Sequence, residues 1–196
     1  KTVVYNFREN DIKNGGEGAP LTPIFHKLLA DKMKIALPVV FLNIGGIANI
    51  TYIPPEDKKG GEILARDIGP GNGLIDKYLK KNSKYKYDKG GKLAKSGKIA
   101  ESVSFDLIHW KTEHEKKGAR YGSLDINDPT LKPVLFKDGY GLSLEDGAAT
   151  ITEYTSEILS HFFGDYIWRR KETFIGSSDL KKIILCGGGR KNKFLI

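Results

Sequence analysis

The 196-residue sequence has a single cysteine, Cys186, and a single methionine, Met33. One cysteine excludes an internal disulfide framework and supplies no metal-ligand spacing. Long apolar runs are missing too: the stretch from Ile35 to Leu42 is too short to span a bilayer and is broken by Pro38. No charged-then-apolar leader opens the chain, so the expectation is a cytoplasmic protein with no membrane partner. Internal repeats and low-complexity tracts are absent. With residue 1 a lysine and the only methionine internal, the sequence is expected to be part of a longer protein. What is present suffices for a core. At this length and 39% hydrophobic residues, one domain, or one large lobe with part of a second, can bury well over half of its unfolded surface.

Charge of one sign is in moderate excess, with 32 Lys and Arg against 24 Asp and Glu, a net charge of +8 and a pI near 9.3. Such a balance raises the question of a nucleic-acid-binding module, because basic side chains that neutralise phosphates release counterions. The distribution speaks against it. Basic residues come as scattered pairs and triplets, Lys80-Lys81, Lys116-Lys117, Arg169-Arg170-Lys171 and Lys181-Lys182, beside Glu113, Glu115, Glu172 and Asp179. That pattern describes a solvated lysine-rich surface, and nucleic acid is not an expected partner.

Along the chain, β-branched apolar runs alternate with glycine turns and helical periods, which predicts an α/β fold: an α+β mixed sheet with flanking helices. Strands are predicted at Thr2 to Tyr5, Val39 to Leu42, Ile47 to Ile53, Glu62 to Asp67 and Lys182 to Cys186, the second and third forming a hairpin across Gly45-Gly46. Leu74, Ile75, Tyr78 and Leu79 fall on one face of a short helix that opens after Gly69-Pro70-Gly71-Asn72. Ser143 with Asp146 fits a capping box, and Ile151, Tyr154, Ile158, Leu159 and Phe162 keep helical spacing to about Phe163. A further helix is expected to begin at Arg190. Lys80 to Lys98 and Glu113 to Phe136 read as surface excursions, the second a substrate-side loop.

Three glycine turns, at Gly45-Gly46, Gly69 to Asn72 and Gly187 to Gly189, each follow a predicted strand. Glycine lets a backbone approach a ligand closely, and exposed amides at a turn or helix start favour an anion such as phosphate. Any one of them taken alone is a tight turn. As a set, with Asn43, Asn49, Asp67, Asn72 and Asn192 beside them, they look like one nucleotide site assembled from distant segments. Upstream, Asp11 precedes Gly15, Gly16 and Gly18. A carboxylate there is placed for general-base work, or equally for an Asx turn into the glycines; the spacing leaves both readings open. Glu9 and Glu17 read as solvated, and Arg8 as contacting an anionic group or pairing with Glu9. His26, after Ile24-Phe25, reads as a packing histidine rather than a catalytic one.

The run from Val3 to Arg8, then Asp11, Gly15-Gly16-Glu17-Gly18-Ala19-Pro20-Leu21 and Pro23 to His26, resembles the signature of the anhydro-N-acetylmuramic acid kinases. Leu42-Asn43-Ile44-Gly45-Gly46-Ile47-Ala48-Asn49-Ile50-Thr51, then Asp67-Ile68-Gly69-Pro70-Gly71-Asn72, and finally Gly187-Gly188-Gly189 with Asn192, resemble that family's further blocks in the same order. The resemblance implies a lobe of an actin-like ATPase and sugar-kinase fold. Residues 1–196 would form most of the second, nucleotide-side lobe, with 1–26 near the interdomain cleft and the first lobe outside the sequence. The implied reaction uses ATP and Mg²⁺: water opens the anhydro bridge of 1,6-anhydro-N-acetylmuramic acid and O6 is phosphorylated, a step of peptidoglycan recycling.

Carried over residue by residue, the resemblance makes Asp11 the general base. It places Arg8, Gly15, Gly16 and Gly18 on the sugar side. Asn43, Gly45, Gly46, Asn49, Asp67, Gly69, Gly71 and Asn72 would line the phosphates, and Gly187, Gly188, Gly189 and Asn192 the adenosine. The metal ligands are not assigned. Ser123 to Asp128 resembles a sugar-side segment. The expected partner is a small-molecule sugar, and the full-length protein is compatible with a homodimer. The chain departs from the family pattern at Asn6, Ile68 and Pro129; Ile68 puts an apolar branched side chain in the block expected to face the phosphates. Phosphoryl transfer rests on positioning and charge neutralisation, so a site with one side open loses preorganisation. The alternative function is therefore a catalytically inactive remnant that binds nucleotide weakly, with a basic nucleic-acid-binding module as the outsider.

Overall fold

Val39–Ile44 (β1) and Ile47–Ile53 (β2) are dense in β-branched residues and separated by Gly45-Gly46, so they pair as an antiparallel hairpin with Asn43 opposite Asn49 and Val39 opposite Ile53. In the computed structural model, which describes residues 1–16, 18–55, 62–116, 141–163, 180 and 182–196, this hairpin is the centre of a mixed four-stranded sheet. Leu64–Pro70 (β3) adds antiparallel to β2, and Lys182–Cys186 (β4) adds parallel to β1, giving the order β3-β2-β1-β4. The α/β class with a mixed sheet and flanking helices is thus the observed one.

Side chains alternate across the two sheet faces. Val40, Leu42, Ile44, Ile50, Tyr52 and Ile68 form one apolar face, covered by Leu159 and Phe162 of the long helix Leu144–Phe162 and by Phe163 at its C-cap. Val39, Phe41 and Ile53 form the other, covered by Ala30 of the helix Pro23–Lys32. Among the described residues the α-helices, in chain order, are α1 (Phe7–Lys13), α2 (Pro23–Lys32), α3 (Gly73–Asn82), α4 (Lys92–Ser96), α5 (Glu101–Lys116) and α6 (Leu144–Phe162). A second core joins Leu74, Ile75, Tyr78 and Leu79 of α3 to Val103 and Leu107 of α5 and to Ile151, Tyr154 and Ile158 of α6.

The predicted apolar face of α3 is the buried one, residue for residue. Helix α6 starts where Ser143 sits at its N-cap, the serine Oγ accepting from the Asp146 amide at 3.1 Å, and ends at Phe162. Other expectations need correcting. Thr2 to Tyr5 is not a strand: Val3, Val4 and Tyr5 are exposed, and β-propensity without a neighbouring strand to pair with forms no ladder. Lys80 to Lys98 is not a plain surface excursion. It contains the end of α3, a 3₁₀ turn at Lys89–Gly91 and α4, with Asp88, Gly91 and Ala94 buried. Asp88 organises this segment because its carboxylate accepts from the amides of Leu93 and Ala94, each at 3.0 Å. Beyond β4 the chain makes a 3₁₀ turn at Gly189–Lys191 rather than an α-helix. Glu113 to Lys116 close α5; the rest of the predicted loop to Phe136, including Ser123 to Asp128 and Pro129, lies outside the described residues, as do Glu17 and Arg169 to Lys171.

Candidate functional site

The three glycine turns meet at one end of the sheet. The amides of Gly71 and Gly73 donate to the Gly46 carbonyl at 2.9 and 3.0 Å, and the Asn72 amide donates to the Gly45 carbonyl at 2.7 Å. The turn before α3 is thereby stapled to the β1–β2 hairpin. From the other side, a side chain at Gly187, where φ is +76°, would sit 2.5 Å from Asn43 Oδ1 and 2.6 Å from the Ile44 carbonyl oxygen. One at Gly189 would overlap Ile44 and lie 2.9 Å from Asn72 Nδ2. Segments separated by more than a hundred residues therefore touch only because these positions lack a Cβ.

This geometry divides the glycines by what they do. Gly71, Gly187 and Gly189 are small so that the turns can pack on one another. Gly46 and Gly188 face open space, with no heavy atom within 4 Å of a side chain built there. The amides of Gly71, Asn72 and Gly73, in a turn expected to expose them for an anion, are instead spent on the hairpin carbonyls. Gly69, at φ +156°, is tight against Ile158 of α6 and buried. Ile68 does not face a ligand: it is fully buried in the core beneath α6, at a register shift between β2 and β3. A bulge that turns one residue inward explains how an apolar side chain is accommodated within this block.

Next to the turns, paired residues place Asp67, Asn49, Asn43 and Cys186 in one row across β3, β2, β1 and β4. Directly opposed residues share a sheet face. The row lies on the α2 side, one step beyond the Phe41–Thr51 pair, and all four residues are half-buried. Burial pushes the Cys186 thiol pKa up, with Arg190 opposing. Behind the row, His26 Nδ1 and Thr51 Oγ1 are 2.9 Å apart and the imidazole stacks on Phe41 at 4.5 Å between centroids. His26 is a packing residue, and burial lowers its pKa.

On the α3 side the turns open into a cavity of about 550 Å³, lined by Asn72, Ile75, Asp76, Gly188, Lys191 and Asn192 and by the segment Tyr87 to Gly90. This segment, Asp76 and Lys191 were missed in the sequence. Tertiary contacts bring it in: the Lys193 amide donates to the Gly90 carbonyl at 3.3 Å, and Gly91 lies tight against Asn192 and Phe194. Asn192 is buried, and its Oδ1 accepts from the amides of Phe194 and Leu195 at 3.1 and 3.2 Å, so that oxygen shapes the turn. Asp76 is half-buried in the cavity wall; desolvation raises its pKa, with Lys80 one turn further along α3 pulling it back.

Arg8, Asp11, Gly15, Gly16 and Gly18 form a separate group around α1. Asp11 Oδ2 accepts from the Gly18 amide at 2.8 Å, and Gly16 packs on the same carboxylate. A side chain at Gly18 would lie 2.7 Å from Arg8 Cγ, and Gly18 holds φ +72°. The carboxylate thus closes the glycine loop through one oxygen.

Comparison with known proteins agrees with this arrangement of motifs. The family model described as anhydro-N-acetylmuramic acid kinase matches residues 1–196. Relatives carrying that name include proteins of Pelagibacter ubique (43% identical over 204 residues, all of this chain and 48% of the relative), Caulobacter vibrioides (37% over 195 residues, 98% and 46%) and Zymomonas mobilis (35% over 191 residues, 97% and 46%). The chain spans about half the length of the curated relatives it matches. The match runs through the hairpin turn, the turn before α3 and the triple glycine alike, and the chain belongs to the anhydro-N-acetylmuramic acid kinase family.

Proposed function

We propose that the chain is the nucleotide-side lobe of a two-lobed, actin-like kinase that uses ATP to phosphorylate O6 of 1,6-anhydro-N-acetylmuramic acid while water opens the anhydro bridge, a cytoplasmic step of peptidoglycan recycling. The observation that carries this reading is the meeting of three glycine turns at the mouth of a cavity of about 550 Å³. Cavities of this size and mixed lining are typical of small-molecule sites. The open positions, Gly46 and Gly188, are where a phosphate chain can approach backbone without meeting a side chain. Asn43, Asn49 and Asp67 form a polar row next to the same turns, on the α2 side of the sheet.

Mg²⁺ would be carried on the phosphates and neutralise their charge; among the described residues no group of three or more His, Cys, Asp or Glu stands ready as a metal cage, and Asp67 is the carboxylate of the polar row. On the sugar side, Asp11 keeps Oδ1 for the water while Gly18 fixes Oδ2. Asp11 takes a proton from water as the water oxygen bonds the anomeric carbon; the bond from that carbon to the bridging oxygen breaks, and the freed O6 attacks the γ-phosphate as ADP departs. Arg8 and the glycines at 15, 16 and 18 shape the sugar side. The partner is a small-molecule sugar. The test is a phosphorylation assay with the anhydro sugar in the protein that contains these residues. Asp11→Asn is expected to lower turnover by about 10²- to 10⁴-fold with nucleotide binding kept; turnover unchanged by the substitution would remove Asp11 from the mechanism.

A further inference from the structure

Asp76 is not explained by the motifs. It lines the cavity on α3, and its amide donates to the Asn72 carbonyl at 2.8 Å, which puts it one helical turn past the residue that closes the hairpin. Along the helix axis that is about 6 Å from the glycine turns, at 1.5 Å per residue. Its carboxylate has no hydrogen bond or ion pair to another described residue, and it is half desolvated. Asp88, the other acid of the lining, is committed to the amides that start α4. Asp76 is therefore a carboxylate in the cavity wall, not committed to another described side chain, that can accept hydrogen bonds from donors on an occupant.

The position and chemistry of those donors follow if the phosphates lie at Gly46 and Gly188, so this step rests on the nucleotide reading above. Phosphate oxygens offer no donors and would be repelled by the carboxylate. The next group along a nucleotide is the sugar, whose vicinal hydroxyls present two donors to one carboxylate. We infer that Asp76 accepts hydrogen bonds from the ribose hydroxyls of the phosphoryl donor and selects ribonucleotides over deoxyribonucleotides, with Tyr87 at the rim beside the base. Lys89 and Lys191 line the same cavity and offset the charge that Asp76 brings to it.

The test is titration calorimetry of the chain with Mg²⁺ and ATP, 2′-deoxy-ATP or inosine triphosphate, for the unsubstituted protein and for Asp76→Ala and Asp76→Asn. Losing hydrogen bonds to a charged acceptor is expected to weaken ATP binding by about tenfold or more in Asp76→Ala. 2′-Deoxy-ATP should lose about threefold or less, so the preference for ATP collapses. Asp76→Asn, which keeps an acceptor oxygen, should retain part of it. A preference for ATP over 2′-deoxy-ATP that survives Asp76→Ala overturns the inference. So does a variant that changes ATP against inosine triphosphate instead, which would put the carboxylate on the base amine. If the unsubstituted chain binds none of the three, the nucleotide reading itself fails, and an unchanged thermal melt of Asp76→Ala separates loss of contact from loss of fold.

Discussion

At the residue scale, the glycines of one motif divide into two kinds that sequence treats alike. Gly189 is buried against Ile44 and Asn72, whereas Gly188, its neighbour, has a right-handed helical backbone and open space where a Cβ would go. Gly189→Ala is expected to cost about 1–3 kcal/mol, because added volume in a packed contact forces its surroundings apart. Gly188→Ala should change stability by about 0.5 kcal/mol or less. Urea unfolding of both variants checks the contrast, and equal losses would mean that the turns do not pack as described. His26 gives a second residue-level expectation. Because burial lowers its pKa below the ordinary 6.5, the native state holds the neutral imidazole stacked on Phe41. As pH falls through the unfolded value the unfolded chain takes up a proton that the native chain resists, so this stability is present above about pH 6.5 and is lost below it. Comparing unfolding midpoints at about pH 8 and about pH 5.5 should show a larger acid loss in the parent than in His26→Phe, which has nothing to titrate there.

At the scale of elements, what was legible follows from whether a local pattern decides the structure. β1, β2 and β4 are dense apolar runs bounded by glycine, and α3 and α6 carry a single apolar face, so period and punctuation suffice. α2 escaped because Ile24, Phe25 and Leu28 are exposed, while the face that packs on β2 carries His26 and Ala30. α1 buries no residue, so nothing in its pattern signals a core face. α5 is interrupted by charged residues and shows no clear stripe. The segment Tyr87 to Gly90 reads as loop because its order comes from Asp88 and from contacts with residues more than a hundred positions away. Two measurements address these elements. Ser143→Ala removes the side-chain acceptor at the start of α6 and is expected to cost about 1 kcal/mol in urea unfolding. Asp88→Ala leaves the part-buried amide of Leu93 and the buried amide of Ala94 without their acceptor, at about 1–3 kcal/mol, and by loosening the cavity wall should weaken nucleotide binding as well. A variant with unaltered stability would show that Asp88 is not what holds this segment.

At the scale of the whole molecule, the mixed sheet acts as a scaffold that gathers its loops at one end: hairpin, strand-to-helix turn and terminal glycines converge, and α3 carries the wall away from them. Motif order alone was enough to group Asn43, Gly45, Gly46, Gly71, Asn72 and Gly187 to Gly189. It was not enough to tell which of them touch one another and which face open space, because that depends on register and on Cβ volumes across strands. The α1 group around Asp11 is held by its own loop contacts, separate from the glycine cluster. The central claim is that the open end of this cluster is where a nucleotide binds. Titration of Mg²⁺-ATP into the parent chain and into Gly188→Val tests it most directly, since a Cβ at 188 has no heavy atom within 4 Å beyond its chain neighbours and the fold should stay intact. The account predicts saturable binding by the parent, weakened by about tenfold or more in the variant at an unchanged melting temperature, as a blocked close contact requires. Equal binding by both proteins, or none by the parent, would contradict it.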